Sequence, residues 1–196
     1  MAKTESYVAV AALQSLAANT VYVGADQDMS GKYGGILTIQ FARAVTTALT
    51  AGVKFRVEMR KAAAGNMAWG LLCSFVTAIA TAIRLAVTTQ SAASQKELTM
   101  SSTTGYALTD RVFVENAVLA NSEFHEVSLI HASTHLTVEE NLANIQEVTA
   151  FVANSAERYE CAIPMECKCF RLVVDNDANG VAVYFKADLV QVDTIV

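Results

Sequence analysis

The sequence predicts an all-β protein: a jelly-roll-like β-sandwich carrying a small inserted β subdomain. Three observations point there. Apolar residues alternate with polar ones through several short runs, at the spacing of two that marks a half-buried strand. About ten such runs, separated by turn-like segments, suit a sandwich or barrel better than a βαβ protein. Hydrophobic residues make up 53% of the 196 and charged residues 17%, so the chain buries enough apolar surface to offset its ordering entropy and is not disordered.

The strands follow in order. Residues 20–25 are β-prone, and Leu37, Ile39 and Phe41 alternate with Thr38 and Gln40 just after Gly34-Gly35. Val53, Phe55, Val57 and Met59 point one way, while Lys54, Arg56, Glu58 and Arg60 point the other. Further strands are expected at 111–116, 124–131, 136–139 and 158–163, with Pro164 at a strand end or edge. Phe170, Leu172 and Val174 alternate with Arg171 and Asp175. Val181, Val183, Phe185, Ala187 and Leu189 alternate with Tyr184, Lys186 and Asp188. Asn179-Gly180 between these last two runs predicts a hairpin that pairs them.

Ser, Thr, Ala and Gln dominate 88–104, which reads as a linker. The sandwich is therefore expected from 1–90 and 155–196, with 91–154 as the inserted subdomain. Thr137-Val138-Glu139-Glu140 fits a helix capping box, followed by Leu142, Ile145, Val148 and Val152 near helical spacing. A helix over 139–154 thus stays open beside the favoured reading of strand, loop and strand. Residues 62–83 are uncharged and long enough to span a bilayer. Gly65, Asn66, Gly70 and the lack of a flanking basic cluster favour instead a buried strand near 68–76, followed by an Ala/Thr-rich linker, and no membrane partner.

Compartment and partners follow from charge and cysteines. The first residues are polar and lack the apolar core of a signal peptide. Cys73, Cys161, Cys167 and Cys169 are read as reduced, mostly buried thiols, which implies synthesis in a cytoplasm. A net charge of -5, with 14 basic residues spread along the chain, argues against direct nucleic-acid binding.

No constellation of reactive residues outweighs its structural explanation. Asp175 to Gly180 matches the first half of a calcium loop, but Lys186 stands where the bidentate carboxylate belongs, so a polar turn is expected. His125, His131 and His135 are close in sequence but lack a fourth ligand pattern, and are expected as solvated turn residues. Gly31, Gly34 and Gly35 make no phosphate loop, and no nucleophile elbow or cysteine-protease signature occurs. Glu115, Glu123 and Glu126 resemble a glycosidase pair less than a solvated strand face. Trp69, Tyr22, Tyr33, Tyr106 and Phe113 are read as packing rather than a sugar platform. The chain is expected to be no enzyme, with no catalytic, cofactor-binding or metal residues.

The order of segments carries a resemblance. Ala12-Leu13-Gln14-Ser15-Leu16-Ala17 leads into Val21-Tyr22-Val23 and Met29-Ser30-Gly31-Lys32-Tyr33-Gly34-Gly35, then Phe55-Arg56-Val57-Glu58 and Trp69. Asp110-Arg111-Val112-Phe113-Val114-Glu115, Ala120-Asn121-Ser122-Glu123-Phe124 and Leu136-Thr137-Val138 follow, then Phe170-Arg171-Leu172-Val173-Val174-Asp175-Asn176. This resembles the small β-rich virion proteins of tailed bacteriophages found as capsid accessory, decoration or cement proteins. Asp110 departs from the group in following Thr109 rather than Gly. The resemblance implies a non-enzymatic structural protein of the virion, made in the bacterial cytoplasm. It would form a homo-oligomer and bind the major capsid protein or other virion proteins. Placement in the neck or tail is the alternative within that class, and a carbohydrate-binding sandwich using Trp69 for host attachment is the alternative outside it.

Overall fold

Apolar alternation is realised as strand along most of the chain. The computed structural model describes residues 3–43, 46–61 and 68–195, which are all-β apart from one 3-10 turn at Leu119–Asn121. In chain order the strands are β1 (Lys3–Leu16), β2 (Val21–Val23), β3 (Gln27–Asp28), β4 (Gly35–Arg43), β5 (Lys54–Arg60) and β6 (Gly70–Val76). Next come β7 (Arg84–Thr89), β8 (Glu97–Met100), β9 (Arg111–Glu115), β10 (Glu123–His131), β11 (His135–Val138) and β12 (Phe151–Ala153). The last three are β13 (Glu157–Ile163), β14 (Cys169–Asp175) and β15 (Val183–Ile195). Two units result, one from Met1–Gln40, Leu49–Ile79 and Arg158–Val196, the other from Phe41–Ala48 and Ala80–Glu157. The inserted unit thus takes in β7 and runs to 157, where the sequence had set its limits at 91 and 154.

The first unit is a sandwich of two sheets, β1-β15-β4-β13 and β2-β14-β5-β6, with β3 also on β14. Setting β3 aside, the first strand pairs with the eighth, the second with the seventh, the third with the sixth and the fourth with the fifth. That is a jelly roll, an antiparallel ribbon rolled so that alternate strand pairs fall in opposite sheets. Leu37 and Ile39 of β4 and Val183, Phe185, Ala187 and Leu189 of β15 are buried. So are Phe55 and Val57 of β5 and Phe170, Leu172 and Val174 of β14, as their alternation predicts. Phe185 meets Tyr22 at 5.0 Å and Phe55 at 6.4 Å between ring centroids, so aromatic rings from both sheets interlock. Each such side chain contributes about 1.5–3 kcal/mol of burial.

The rolled ribbon corrects the hairpin expected at Asn179-Gly180. β14 pairs with β2, β3 and β5, and β15 pairs with β1 and β4, so the two runs lie in opposite sheets. Neither Asn179 nor Gly180 takes the positive φ that a two-residue type I′ turn requires. The segment is a corner, and Asn176 anchors it. Fully buried, its Nδ2 donates to the Ala17 carbonyl at 3.0 Å and to that of Val181 at 2.9 Å. Its own N–H donates to the Thr20 carbonyl, and Asn19 donates to that of Asn179, so the two crossovers between the sheets are stitched side by side.

The four-thiol expectation is also corrected. Cys73 on β6 and Cys161 on β13 form a disulfide with Cα atoms 6.7 Å apart, and only Cys167 and Cys169 are free and buried. The inference of cytoplasmic synthesis loses the support it drew from four reduced thiols. The bond joins the fifth and sixth strands of the roll and so links one sheet to the other. Beside it, Tyr159 of β13 stacks on Phe75 of β6 at 4.9 Å. Its 88-residue separation encloses the Ala80–Glu157 part of the second unit.

One other strand departs from expectation. β6 is a strand, but an exposed edge strand rather than a buried one, with Leu71 and Val76 open to solvent. Residues 62–67 of the uncharged stretch lie outside the described residues, and no described helix is long and apolar enough to cross a membrane. β1 had no clear alternation because register shifts at Thr4/Glu5, Ala9/Ala11 and Ala11/Gln14 change its phase.

The second unit is a closed barrel in the order β10-β11-β8-β7-β12-β9. Leu98, Met100, Val112, Val114, Leu136 and Val152 belong to its buried core, as a six-stranded barrel small enough to fill with side chains requires. Tyr106 joins them and donates from its hydroxyl to the Val152 carbonyl at 2.6 Å. The expected linker 88–104 is corrected, since it holds the end of β7 and all of β8. Residues 139–150 form no helix. Leu142, Gln146 and Ala150 are buried at helical spacing, but as separate anchors of a loop, with Gln146 bridged to Ser91.

Replacing both Cys73 and Cys161 by Ala should lower the unfolding free energy of the sandwich by roughly 2–5 kcal/mol, the range for closing a long loop. Denaturant titration followed through Trp69, the sole tryptophan, reads this change; an unshifted midpoint would show that the bond holds nothing.

Candidate functional site

The structure scatters the residues singled out by sequence. Of the five aromatics, Tyr106 and Phe113 are buried in the second unit and Tyr22 packs on Phe185 in the first. Trp69 lies under two cations, with the Arg60 and Arg171 guanidinium carbons 4.5 and 4.4 Å from its ring centroid. Those arginines are fixed in turn, Arg60 by Asp26 at 2.6 Å and Arg171 by Glu58 through Nε at 2.9 Å and Nη2 at 2.8 Å. A sugar stacking on Trp69 would have to compete with them.

The three carboxylates are each committed. Glu115 pairs with Arg84 at 2.8 Å and Glu126 with Arg111 at 2.9 Å. Glu123 accepts from the backbone N–H groups of Ala143 at 2.8 Å and Asn144 at 2.7 Å, from Gln146 Nε2 at 2.9 Å, and from His125 Nε2 at 2.9 Å. Burial pushes the Glu123 carboxyl up, but the bonds from His125 and the two backbone amides outweigh it and hold it below its ordinary value. Asn116 completes the network by donating to the Ile145 carbonyl at 3.1 Å and to Gln146 Oε1 at 3.3 Å.

This network pins the 139–150 loop to β9 and β10. It also corrects one expectation, because His125 is buried inside it rather than solvated at a turn. His131 and His135 are the turn histidines, paired across the β10–β11 hairpin. The i, i+2 spacing of Glu123 and His125 on a strand was the signal that could have revealed their contact.

The Asp175–Gly180 segment binds itself. Asp175 Oδ1 accepts from the N–H of Asp177 at 3.2 Å, and Asn176 turns inward. Lys186 lies 3.5 Å from Asp188 on β15. Burial pushes the Cys167 and Cys169 thiols up. Among the described residues no group of three or more His, Cys, Asp or Glu is placed to hold a metal ion.

Two surface features remain on the sandwich. On the solvent face of the β1-β15-β4-β13 sheet, Tyr7 is 80% exposed opposite Val190, and Ile36 is 51% exposed beside them on β4. Elsewhere a groove of about 550 Å³ is lined by Lys32, Tyr33, Lys61, Met165, Glu166 and Lys168. Its walls are two turns, one around Gly31 and Gly34, both at positive φ, and one where Cys167 donates to the Pro164 carbonyl. A Cβ at Gly34 would sit 2.6 Å from the Ile163 carbonyl, so only glycine permits this approach. Lys32 holds Asp193 at 2.6 Å, while Lys61 and Lys168 make no ion pair among the described residues. Sequence reading missed this groove because its lysines are far apart along the chain.

The fold defines the class: an eight-stranded jelly roll with a closed barrel inserted between its fifth and sixth strands. No protein-family model matches the chain, and no curated protein matches it in sequence. Among solved structures it is similar to the K3 cleaved adhesin domain of Lys-gingipain from Porphyromonas gingivalis, at 9% identity and TM-score 0.38 over 87% of this chain and 62% of that one. It is also similar to VP17, a capsid protein of bacteriophage P23-77, at 8% identity and TM-score 0.20 over 99% and 98% of the two chains. For VP2 of the infectious bursal disease virus subviral particle the identity is 7% and the TM-score 0.26, over 97% of this chain and 41% of that one. The chain spans less than two thirds of the adhesin and VP2 chains.

Glu123→Gln puts an amide N–H₂ against a donor and should destabilise the barrel by about 2–3 kcal/mol. Because the folded carboxyl lies below its unfolded value of about 4.3, its stabilisation is present above that pH and is lost as pH falls through the folded value. Hydrogen exchange of the β9 and β10 amides should show this acid limb in the parent and not in the variant. An identical limb in both would remove Glu123 as its source.

Proposed function

We propose that the chain is a non-enzymatic structural protein of a bacteriophage virion, a capsid decoration or cement protein that bridges neighbouring capsid subunits against internal DNA pressure. The observation that carries this reading is the rolled ribbon itself. Jelly rolls recur in viral capsid and lectin domains, so the step from fold to role is made by analogy. The apolar row of Tyr7, Val190 and Ile36 supplies a docking face suited to other virion proteins, and the described residues offer their cations and carboxylates mainly to one another. Affinity on a lattice comes from many modest contacts acting together, which a rigid body with several faces provides. The capping of Trp69 by Arg60 and Arg171 weighs against the lectin branch of the same fold. Neck or tail placement shares all of these features and differs in copy number.

Peptide mass spectrometry of purified particles tests the role. The chain should be found at an abundance comparable to the shell's own subunits. A few copies per particle would move it to the neck or tail, and absence from particles would overturn the reading.

A further inference from the structure

The molecule carries two complementary surfaces that the proposed role leaves unused. One is the groove on the sandwich, where Lys61 and Lys168 make no ion pair among the described residues, Lys32 is held by Asp193, and Glu166 is the carboxylate of the lining. Its apolar part is Tyr33, 46% exposed, and Met165, 60% exposed, the latter a flexible side chain that adapts to whatever covers it. The other is the 139–149 loop of the barrel. Glu139, Glu140 and Glu147 are exposed there and make no side-chain ion pair among the described residues. Ile145 is 49% exposed and Val148 56% exposed beside them. The loop is held in one shape by the bonds of Glu123 and Gln146, so presenting it costs little ordering entropy.

We propose that the 139–149 loop of one copy seats in the lysine-bordered groove of a second copy. Resting on the assembly reading above, this names the contact through which copies join. Each surface supplies what the other lacks. The carboxylates of Glu140 and Glu147 meet the ammonium groups of Lys61 and Lys168, and exposed Ile145 and Val148 cover exposed Tyr33 and Met165. A polyphosphate ligand fits less well, because it brings no apolar surface to cover the exposed Tyr33 and Met165 of the groove. The contact is heterologous, with different surfaces on the two copies, and every copy carries both halves.

Charge reversal tests it on the full chain. Sedimentation velocity should show parent self-association that weakens as salt screens the charges. The groove variant (Lys61→Glu with Lys168→Glu) and the loop variant (Glu140→Lys with Glu147→Lys) should each associate roughly tenfold or more weakly. Mixed together they should re-associate in equal proportion, because the unaltered acidic loop of the groove variant meets the unaltered basic groove of the loop variant, and the two reversed surfaces meet each other. That recovery cannot come from misfolded variants, and unchanged Trp69 fluorescence checks the sandwich independently. Self-association that neither variant weakens, or no recovery on mixing, overturns this contact and leaves the assembly role standing. A parent that is monomeric at every concentration yet abundant in particles also overturns the contact alone. A monomeric parent absent from particles overturns both.

Discussion

One constraint organises the sandwich: its strands pair first with last, second with second-last, and so inward to the middle of the ribbon. Rolling that ribbon sends every consecutive pair of strands except the middle one to opposite sheets. The chain must therefore cross from sheet to sheet at its ends, and buried polar backbone at a crossing needs partners. Asn176 supplies them by bonding to Ala17 and Val181, and Asn179 Oδ1 accepts from Ala51 at 3.0 Å. The crossover from the fifth to the sixth strand is where the chain departs to build a complete barrel. The Cys73–Cys161 bond closes the root of that excursion within the sandwich.

Much of this was legible in the residues. Alternation in β4, β5, β14 and β15 located the central strands and a face that each buries, because those strands have neighbours on both sides and cannot slip without exposing a core set. The edges were harder. β1 changes phase at its bulges, and β8 offers only Leu98 and Met100 inward among polar neighbours. Asn179-Gly180 carried a hairpin signal that is purely local. The pairing partner of a strand is fixed by the whole ribbon, and topology overrode the dipeptide. Nothing in the spacing of the four cysteines could select Cys73 and Cys161, which come together only after both sheets form.

The candidate surfaces show the same divide. Glu123 and His125 share a strand face, so their contact was available from sequence, although its partners Ala143, Asn144 and Gln146 belong to a loop whose path was not. Lys32, Lys61 and Lys168 converge from three distant segments, which is why the chain read as having no basic patch. In the reading proposed above, function rests on outward features: an apolar row on one sheet face, a cationic groove, an acidic loop. They suit a part that fits against others.

Cross-strand nuclear Overhauser effects in the isotope-labelled chain test the rolled ribbon most directly. The pairing described here predicts backbone contacts from Val190 to Tyr7 and from Val173 to both Val23 and Arg56. A ladder joining residues 171–175 to 183–187 would make β14 and β15 a hairpin and contradict the jelly roll.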